Sequence, residues 1–254
     1  PSIAFADRVT RIAPSPTVAI SSLALDLRAA GRDVIGLAVG EPDFETPPHV
    51  KEAAIRAIHD GHTRYTQVDG IPELKEAVAE KFRRENGLDV SAANISVGTG
   101  GKQVLFNALM STVQAGDEVI IPAPYWVSFA GITEVAGGTP VFLASGFADG
   151  LKLLPERLEA AITPRSRWVI INSPSNPTGM GYSADELRAF ADVIRRHPNL
   201  MVISDDLYEH LTYDGFEFST IAGLAPDLED RVLTLNGVSK SYCMTGWRIG
   251  FAAA

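Results

Sequence analysis

The sequence predicts an α/β fold, a mostly parallel sheet of seven strands flanked by helices on both faces. Three observations predict it. Short apolar runs alternate with helical patterns along the chain. Several of these runs are almost continuously hydrophobic, as in strands that are covered on both faces. Polar residues able to do chemistry follow directly after the runs.

Six segments have the spacing of apolar residues that is typical of helices. Glycine ends each of the first three, at Gly31, Gly61 and Gly87, and Ser183 is placed to cap the last one. The predicted helices are Thr17–Ala30, Pro48–Asp60, Pro72–Asn86, Gly101–Val113, Trp126–Ala136 and Ala184–Arg196.

Seven short apolar runs have the length and composition of strands. They are Ile95–Val97, Glu118–Ile121, Thr139–Leu143, Trp168–Ile171, Met201–Ser204, Val232–Leu235 and Ile249–Ala252. Helical patterns separate most of them, which favours parallel strands joined by helical crossovers.

Composition excludes several classes of protein. Apolar residues make up 46% of the 254, an ordinary globular composition, and the formal net charge of −9 argues against a binder of nucleic acid or of a membrane surface. The single cysteine, Cys243, excludes an internal disulfide and a cysteine-rich zinc site, and no metal site is predicted. We find neither a signal-peptide pattern nor an apolar stretch long enough to span a membrane, so we expect a cytoplasmic protein.

Ligands of such sheets bind beyond the carboxyl ends of the strands. Gly100 and Gly101 follow the first strand and open a helix, an arrangement that suits a phosphate group, although ordinary strand-to-helix connections also use glycine. Gln103 stands where a dinucleotide fingerprint needs glycine and where a P-loop needs Ser or Thr. A different phosphate-bearing cofactor remains.

Other candidate residues follow later strands. Asp205 comes directly after an apolar strand, and Tyr208 lies three residues on. Asn176 lies in a proline-rich turn, and Trp126 could stack on a flat ring. Each has a simpler interpretation: a helix cap or ion pair for Asp205, turn chemistry for Asn176, and core packing for Trp126.

Lys240 decides between these interpretations. It follows an apolar strand within Ser239-Lys240-Ser241, and Arg248 comes eight residues later. A lysine at the ligand-binding edge of an α/β sheet, among candidate phosphate ligands, is a candidate for a Schiff base, whereas an ordinary surface lysine is the alternative.

The ordered motifs resemble one family along the whole chain. They are Ala38–Phe44, Arg64-Tyr65-Thr66, Gly70–Leu74, Gly100–Gln103, Pro124-Tyr125-Trp126, Asn172–Gly179, Ser204–Tyr208 and Ser239–Gly250. The chain resembles the class I and II aminotransferases that depend on pyridoxal 5′-phosphate (PLP), of fold-type I and the aspartate aminotransferase superfamily. It is most similar to the aspartate and prephenate aminotransferases of bacteria and plants.

The resemblance implies roles for the candidate residues. Lys240 corresponds to the lysine that holds PLP as an internal aldimine and then moves the proton between substrate and cofactor. Asp205 corresponds to the partner of the pyridine nitrogen, Tyr208 and Asn176 to ligands of the ring oxygen O3′, and Trp126 to the aromatic residue over the ring.

The resemblance also implies the phosphate ligands. Gly100, Gly101, Ser239 and Arg248 correspond to this cup, with Lys102 beside it. Many relatives have a serine where this chain has Gly237, so Ser239 must supply the hydroxyl.

Tyr65 resembles a tyrosine that reaches the phosphate of the neighbouring subunit, which implies a homodimer with active sites at the subunit interface. For the substrate, the resemblance implies Gly40, Thr17, Lys102, Trp126 and Asn176. A lysine at position 102 favours a second carboxylate, whereas a solvated lysine in the first helical turn is the alternative. We therefore expect aspartate or glutamate as amino donor and a 2-oxo acid as acceptor, with prephenate also possible.

The resemblance divides the chain into residues 1–46, which belong to an incomplete small domain, and residues 47–254, a large PLP-binding domain. Family members continue beyond this length, so we expect a chain truncated at its C-terminus, without the arginine that binds the substrate α-carboxylate. A non-catalytic PLP-binding fragment or regulatory module stays open as an alternative. So do a PLP lyase or decarboxylase and an aminotransferase specific for aromatic or other amino acids.

Overall fold

The computed structural model describes residues 3–254. Its centre is one sheet of seven strands in the order β1-β7-β6-β5-β4-β2-β3. All neighbouring strands pair in parallel except those of β7, which lies between β1 and β6 and is antiparallel to both. The predicted fold, a mostly parallel seven-stranded sheet, is confirmed.

All seven strands form where the sequence predicts them. They are β1 Ile95–Thr99, β2 Glu118–Ala123, β3 Thr139–Ala144, β4 Ser166–Asn172, β5 Met201–Asp205, β6 Val232–Gly237 and β7 Ile249–Ala253. Each strand extends beyond the apolar run that predicted it, because the residues that flank the run still pair with the neighbouring strand. Asn172, for example, pairs with Asp205 across β4 and β5.

Nine α-helices occur within residues 3–254. They are α1 Asp7–Thr10, α2 Pro16–Ala29, α3 Pro48–His59, α4 Pro72–Lys81, α5 Gly101–Thr112, α6 Ser128–Ala136, α7 Pro155–Ala161, α8 Ala184–Arg196 and α9 Ile221–Leu224. The sequence did not predict α1, α7 and α9, which are too short to show a period. The predicted helix Pro72–Asn86 ends as an α-helix at Lys81 and continues as a π-helical turn over Phe82–Asn86.

Apolar side chains cover both faces of the sheet. In β4, Val169 and Ile171 join the cluster that contains Phe190 of α8, whereas Trp168 and Ile170 join the cluster that contains Leu105 of α5. Alternate residues of one strand therefore enter opposite layers, which explains why the strand reads as continuously hydrophobic.

The segment before α3 is packed differently. No residue of α1 or α2 is buried. Along α2, Val18, Leu23 and Leu25 are each more than half exposed. The division at residue 46 stays a prediction. Helix α3, which follows it, also has no buried residue, and the first buried residue among those described is Val78 of α4.

Within the described residues, none of the helices has both the length and the apolar character needed to cross a membrane.

Candidate active site

Four strand ends bring the candidate residues to one edge of the sheet. Strands β4, β5 and β6 are neighbours that run in the same direction, so their carboxyl ends meet. Because β7 is antiparallel to them, its amino end lies at the same edge, and Arg248 directly precedes it. One reversed strand thus places Arg248 beside residues that follow the parallel strands.

Asp205 is the last residue of β5 and is buried, with 5% of its surface exposed. Its carboxylate accepts one hydrogen bond, from the Leu207 N–H at 3.3 Å. Burial raises the pKa of Asp205 to about 7. Among residues 3–254, no lysine, arginine or histidine forms an ion pair with this carboxylate, so the site presents a buried acid that lacks a cation.

Asn176 and Tyr208 come together as predicted. The Asn176 Nδ2 donates to the Tyr208 hydroxyl at 3.3 Å. Asn172 holds this pair in place, because its Oδ1 accepts from the Asn176 N–H at 2.7 Å and its Nδ2 donates to the Asp205 carbonyl at 3.0 Å. Burial raises the pKa of the Tyr208 phenol, and the charge of Asp205 raises it further.

Asn172 is a residue of this group that the sequence analysis did not single out. Its position directly after the apolar run of β4 is the only local signal, and its pairing with Asp205 depends on the neighbouring strand.

Lys240 lies near this pair. Its Nζ is 6.0 Å from the centroid of the Tyr208 ring and donates a hydrogen bond to the Gly40 carbonyl. Burial lowers the pKa of Lys240, and the charge of Arg248 acts in the same direction, although Glu41 opposes them. The structure therefore connects Lys240 both to the sheet and to the N-terminal segment.

The start of α5 offers free backbone donors. In the part of the chain that the structure describes, the N–H groups of Gly101 and Lys102 have no hydrogen-bond acceptor. Gly100 has a φ of 79°, and a Cβ built on it would lie 2.3 Å from an Arg248 guanidinium nitrogen. Arg248 thus packs directly on the glycine turn, and its Nη1 donates to the Thr245 carbonyl at 2.7 Å.

Ser239 is buried, with 7% of its surface exposed. Its hydroxyl forms no hydrogen bond to the described residues.

Gly250 is a second residue that the sequence analysis did not single out. A Cβ at this position would lie 2.2 Å from the Gly101 nitrogen. Only glycine therefore lets β7 pass close enough to the start of α5. A glycine at the start of β7 was the only sequence signal. It could not be interpreted from the sequence, because the contact that requires it joins Gly250 to Gly101, about 150 residues earlier.

Lys102 lies over Trp126, with its Nζ 5.0 Å from the ring centroid. Trp126 also packs edge-on against Phe129 of the core. The cation and the aromatic ring are thus adjacent at the rim of the site, as a substrate-binding pair would require. Whether Lys102 binds a substrate carboxylate stays a prediction.

The structure does not bring two predicted residues to this group. Tyr65 is fully exposed, at 108% of its reference surface. Thr17 lies in the first turn of α2, where its carbonyl accepts from the Ser21 hydroxyl. Tyr65 is predicted to act in the neighbouring subunit, and Thr17 lies in the exposed helix α2. Both roles stay predictions.

The sequence is similar to that of known aminotransferases. Residues 32–254 match the family described as aminotransferase class I and II. The chain is 61% identical over 247 residues to an aspartate/prephenate aminotransferase of Cereibacter sphaeroides, covering 97% of this chain and 62% of the relative. It is 53% identical over 247 residues to the aspartate aminotransferase of Rhizobium meliloti, covering 97% of this chain and 60% of the relative.

Solved structures agree over the whole chain. The crystal structure of the aspartate aminotransferase from Rhizobium meliloti superimposes with a TM-score of 0.96 at 52% identity, covering 100% of this chain and 63% of that one. The aspartate aminotransferase from Thermus thermophilus with maleate gives a TM-score of 0.95 at 46% identity, covering 100% and 65%. The chain thus spans less than two thirds of the length of the relatives that it matches.

Proposed function

Because this chain belongs to the class I and II aminotransferase family, we propose that the protein is a PLP-dependent aminotransferase. It would move an amino group between an L-amino acid and a 2-oxo acid. One observation carries the proposal: a buried aspartate without a cation lies at the same sheet edge as a half-buried lysine and a pair of phenol and amide groups. Neither a dinucleotide nor the nucleoside triphosphate of a P-loop, the two other phosphate ligands weighed above, needs all of these groups together.

The donors and acceptors of the site fit PLP at each of its polar positions. The Asp205 carboxylate lacks a charged partner, and a protonated pyridine nitrogen supplies one through a charge-assisted hydrogen bond. The Tyr208 hydroxyl, which accepts from Asn176, keeps its own proton to donate, so both groups can serve the ring oxygen.

The phosphate end fits as well. The free N–H groups of Gly101 and Lys102 lie at the start of α5, where the helix dipole favours an anion. Arg248 presents a guanidinium beside Gly100, and the Ser239 hydroxyl is available. We propose that Gly100, Gly101, Ser239 and Arg248 hold the phosphate.

When bound, PLP supplies an electron-withdrawing ring that stabilises the charge left when a bond to the substrate Cα breaks. The protein's own residues do the rest. Asp205 holds a proton at the pyridine nitrogen, and burial makes this interaction strong. Lys240, whose lowered pKa makes the neutral amine more available, is the nucleophile for the cofactor and the base that accepts and returns a proton at its Nζ.

We propose an acidic amino acid, aspartate or glutamate, as donor and 2-oxoglutarate or oxaloacetate as acceptor, with prephenate as a further acceptor. The names of the relatives support this choice. Lys102 supports it too, because a cation at the rim of the site is a suitable partner for a second carboxylate. Gly40 and Thr17 are proposed to lie near the substrate, together with Trp126.

We further propose a cytoplasmic homodimer in which Tyr65 completes the site of the partner subunit. The complete exposure of Tyr65 supports this proposal. Residues 1–46 are proposed to belong to a small domain, which the exposed apolar side chains of α2 support.

Amino transfer from aspartate to 2-oxoglutarate by the full-length protein tests the proposal. The parent should be active, and Lys240→Ala should have no measurable turnover while still binding PLP. Asp205→Ala should lower kcat by about a hundredfold to a thousandfold, the usual effect of losing a major electrostatic contact. Near-parent activity of either variant would overturn the assigned role.

A further inference from the structure

A buried ionic network lies behind the turn that carries Tyr208. Lys81, at the end of α4, is 8% exposed, and Glu209 is 5% exposed. The Lys81 ammonium bonds to a Glu209 carboxylate oxygen and donates to Asn86 Oδ1 at 2.7 Å. Asn86 Nδ2 donates to the other Glu209 oxygen at 2.6 Å. Both oxygens of this carboxylate therefore have a buried partner.

The π-helical turn makes this geometry possible. A π turn has more residues per turn than an α-helix, so Lys81 and Asn86, five positions apart, can both face Glu209. Core contacts fix the turn, because Phe82 is fully buried and packs edge-on against Phe251 of β7. A Cβ at Gly223 would lie 2.2 Å from the Asn86 carbonyl oxygen, so close backbone packing fixes the other side.

The network borders the site at the turn that carries Tyr208. Glu209 directly follows Tyr208, and its N–H donates to the Asp206 carbonyl at 3.0 Å. The phenol pKa of Tyr242, two residues after Lys240, is raised first by burial and then by the charges of Glu85 and Glu209. The Glu209 carboxylate thus joins the Lys81–Asn86 region to the turn that carries Tyr208.

The cluster is an ion-pair network and not a cation site. Glu85 and His210 lie beside Glu209, with their ligand atoms within 4.8 Å of one another. Two cations already balance its two carboxylates, since Lys81 lies 3.6 Å from Glu85 and is bonded to Glu209, and Arg84 lies 2.5 Å from Glu85. A buried pair of this kind stabilises a fold no better than well-packed apolar side chains, but it fixes one geometry.

We propose that Glu209, held by Lys81 and Asn86, is a positioning residue that sets the place of the Tyr208 phenol against the cofactor. This inference rests on the proposed function. Glu209 itself touches neither substrate nor cofactor, and it acts through the backbone that it shares with Tyr208.

A matched control exists at the opposite edge of the sheet. Glu118 begins β2 and is 6% exposed. It accepts hydrogen bonds from Thr163, Arg165 and Ser166. Glu118→Gln therefore weakens a buried carboxylate network of similar kind at the amino end of a strand, whereas the active-site groups follow the carboxyl ends. It should lower the melting temperature without affecting Tyr208.

The experiment compares full-length parent, Glu209→Gln, Glu118→Gln and the double variant Lys81→Met/Glu209→Met, with Tyr208→Phe as reference. Three quantities are measured: the melting temperature, the hydrogen exchange of the cofactor-free protein over residues 206–211, and the pH midpoint of the absorbance change of bound PLP. Glu209→Gln should shift the midpoint in the same direction as Tyr208→Phe and speed exchange over 206–211 about tenfold. Glu118→Gln should lower the melting temperature and leave both other quantities at the parent values.

The double variant separates positioning from folding, and it also serves if Glu209→Gln fails to fold. Removing both charges should recover only part of the melting temperature. No buried charge is left unpaired, because Glu85 keeps Arg84, but Asn86 loses both of its partners. The midpoint should stay shifted. A Glu209→Gln protein that matches Glu118→Gln in midpoint and exchange, or a double variant with a parent-like midpoint, would overturn the inference. A parent that binds no PLP would instead contradict the proposed function, and exchange over 206–211 would then decide the inference alone.

Discussion

The sheet and the N-terminal segment use similar apolar residues in opposite ways. Helix α8 buries five residues, including Phe190 and Ile194, against the sheet. Helix α2 is one residue longer and buries none, and Leu23 and Leu25 are more than half exposed. The difference teaches that the buried groups of the site belong to the sheet, whereas the segment near Gly40 reaches the site through hydrogen bonds to the loop that follows β6. Gly40 bonds to Lys240, Glu41 to Thr245, and Thr46 to Cys243 and Trp247.

The first way to sharpen this comparison is a pair of truncations to alanine in the 254-residue chain. Phe190→Ala should lower the free energy of unfolding by about 3–5 kcal/mol, because it opens a cavity in the core. Leu23→Ala should change it by less than about 0.5 kcal/mol, as is usual for surface positions. Denaturant unfolding of both variants checks this prediction, and equal losses would contradict it.

The same pair in the full-length protein tests whether residues 1–46 belong to a small domain. There, Leu23→Ala should cost about 2 kcal/mol or more if further chain covers α2. An unchanged small effect would remove the proposed domain division.

The second prediction concerns the buried acid at the sheet edge. Because burial raises the folded-state pKa of Asp205 from its ordinary value of 3.8 to about 7, the folded protein binds its proton more tightly than the unfolded chain. The cofactor-free parent should therefore lose stability, by a few kcal/mol, as pH rises from about 4 to 7. Asp205→Asn should flatten this part of the profile, and thermal melts across that range measure it.

Asp206 is the matched comparison for Asp205. Burial raises its pKa to about 7 as well, but its carboxylate accepts from the Ser204 hydroxyl and faces no proposed cofactor. Asp206→Asn should also flatten the profile, whereas saturating PLP should reduce the pH dependence only where Asp205 is present. A profile that PLP leaves unchanged would contradict the proposed pairing of Asp205 with the ring.

The third and smallest expected effect is on substrate choice. In the full-length protein, Lys102→Ala should lower kcat/KM for aspartate about tenfold while changing that for alanine little, because only aspartate has a second carboxylate. Steady-state kinetics with both amino acids check this. An equal loss for the two substrates would assign Lys102 to the aromatic contact with Trp126 alone.

The sequence predicts the features that depend on local signals and misses those that depend on contacts between distant segments. All strands and the end of β5 at Asp205 could be predicted, because a continuous apolar run and the polar residue that ends it are local signals. The order of the strands could not, since β7 inserts between β1 and β6 through contacts distant in sequence. Gly250 and Asn172 were missed for that reason, as their roles depend on residues of other strands.

The π-helical turn escaped prediction for another physical reason. Apolar periodicity continues through Pro72–Asn86, so the sequence indicates one uninterrupted helix. The π turn at Phe82 occurs together with tertiary contacts, the packing of Phe82 on Phe251 and the pairing of Lys81 and Asn86 with Glu209. A single-sequence pattern carries no signal for a partner over 120 residues away.

Lys240 is the residue on which the proposed function depends most directly. Reducing the PLP-loaded full-length protein with borohydride, followed by digestion and peptide mapping, shows which lysine carries the cofactor. The structure and the family predict the label on Lys240, whose Nζ lies beside Tyr208 and has a lowered pKa. A label on another lysine, such as Lys102, or no label at all, would contradict the assignment.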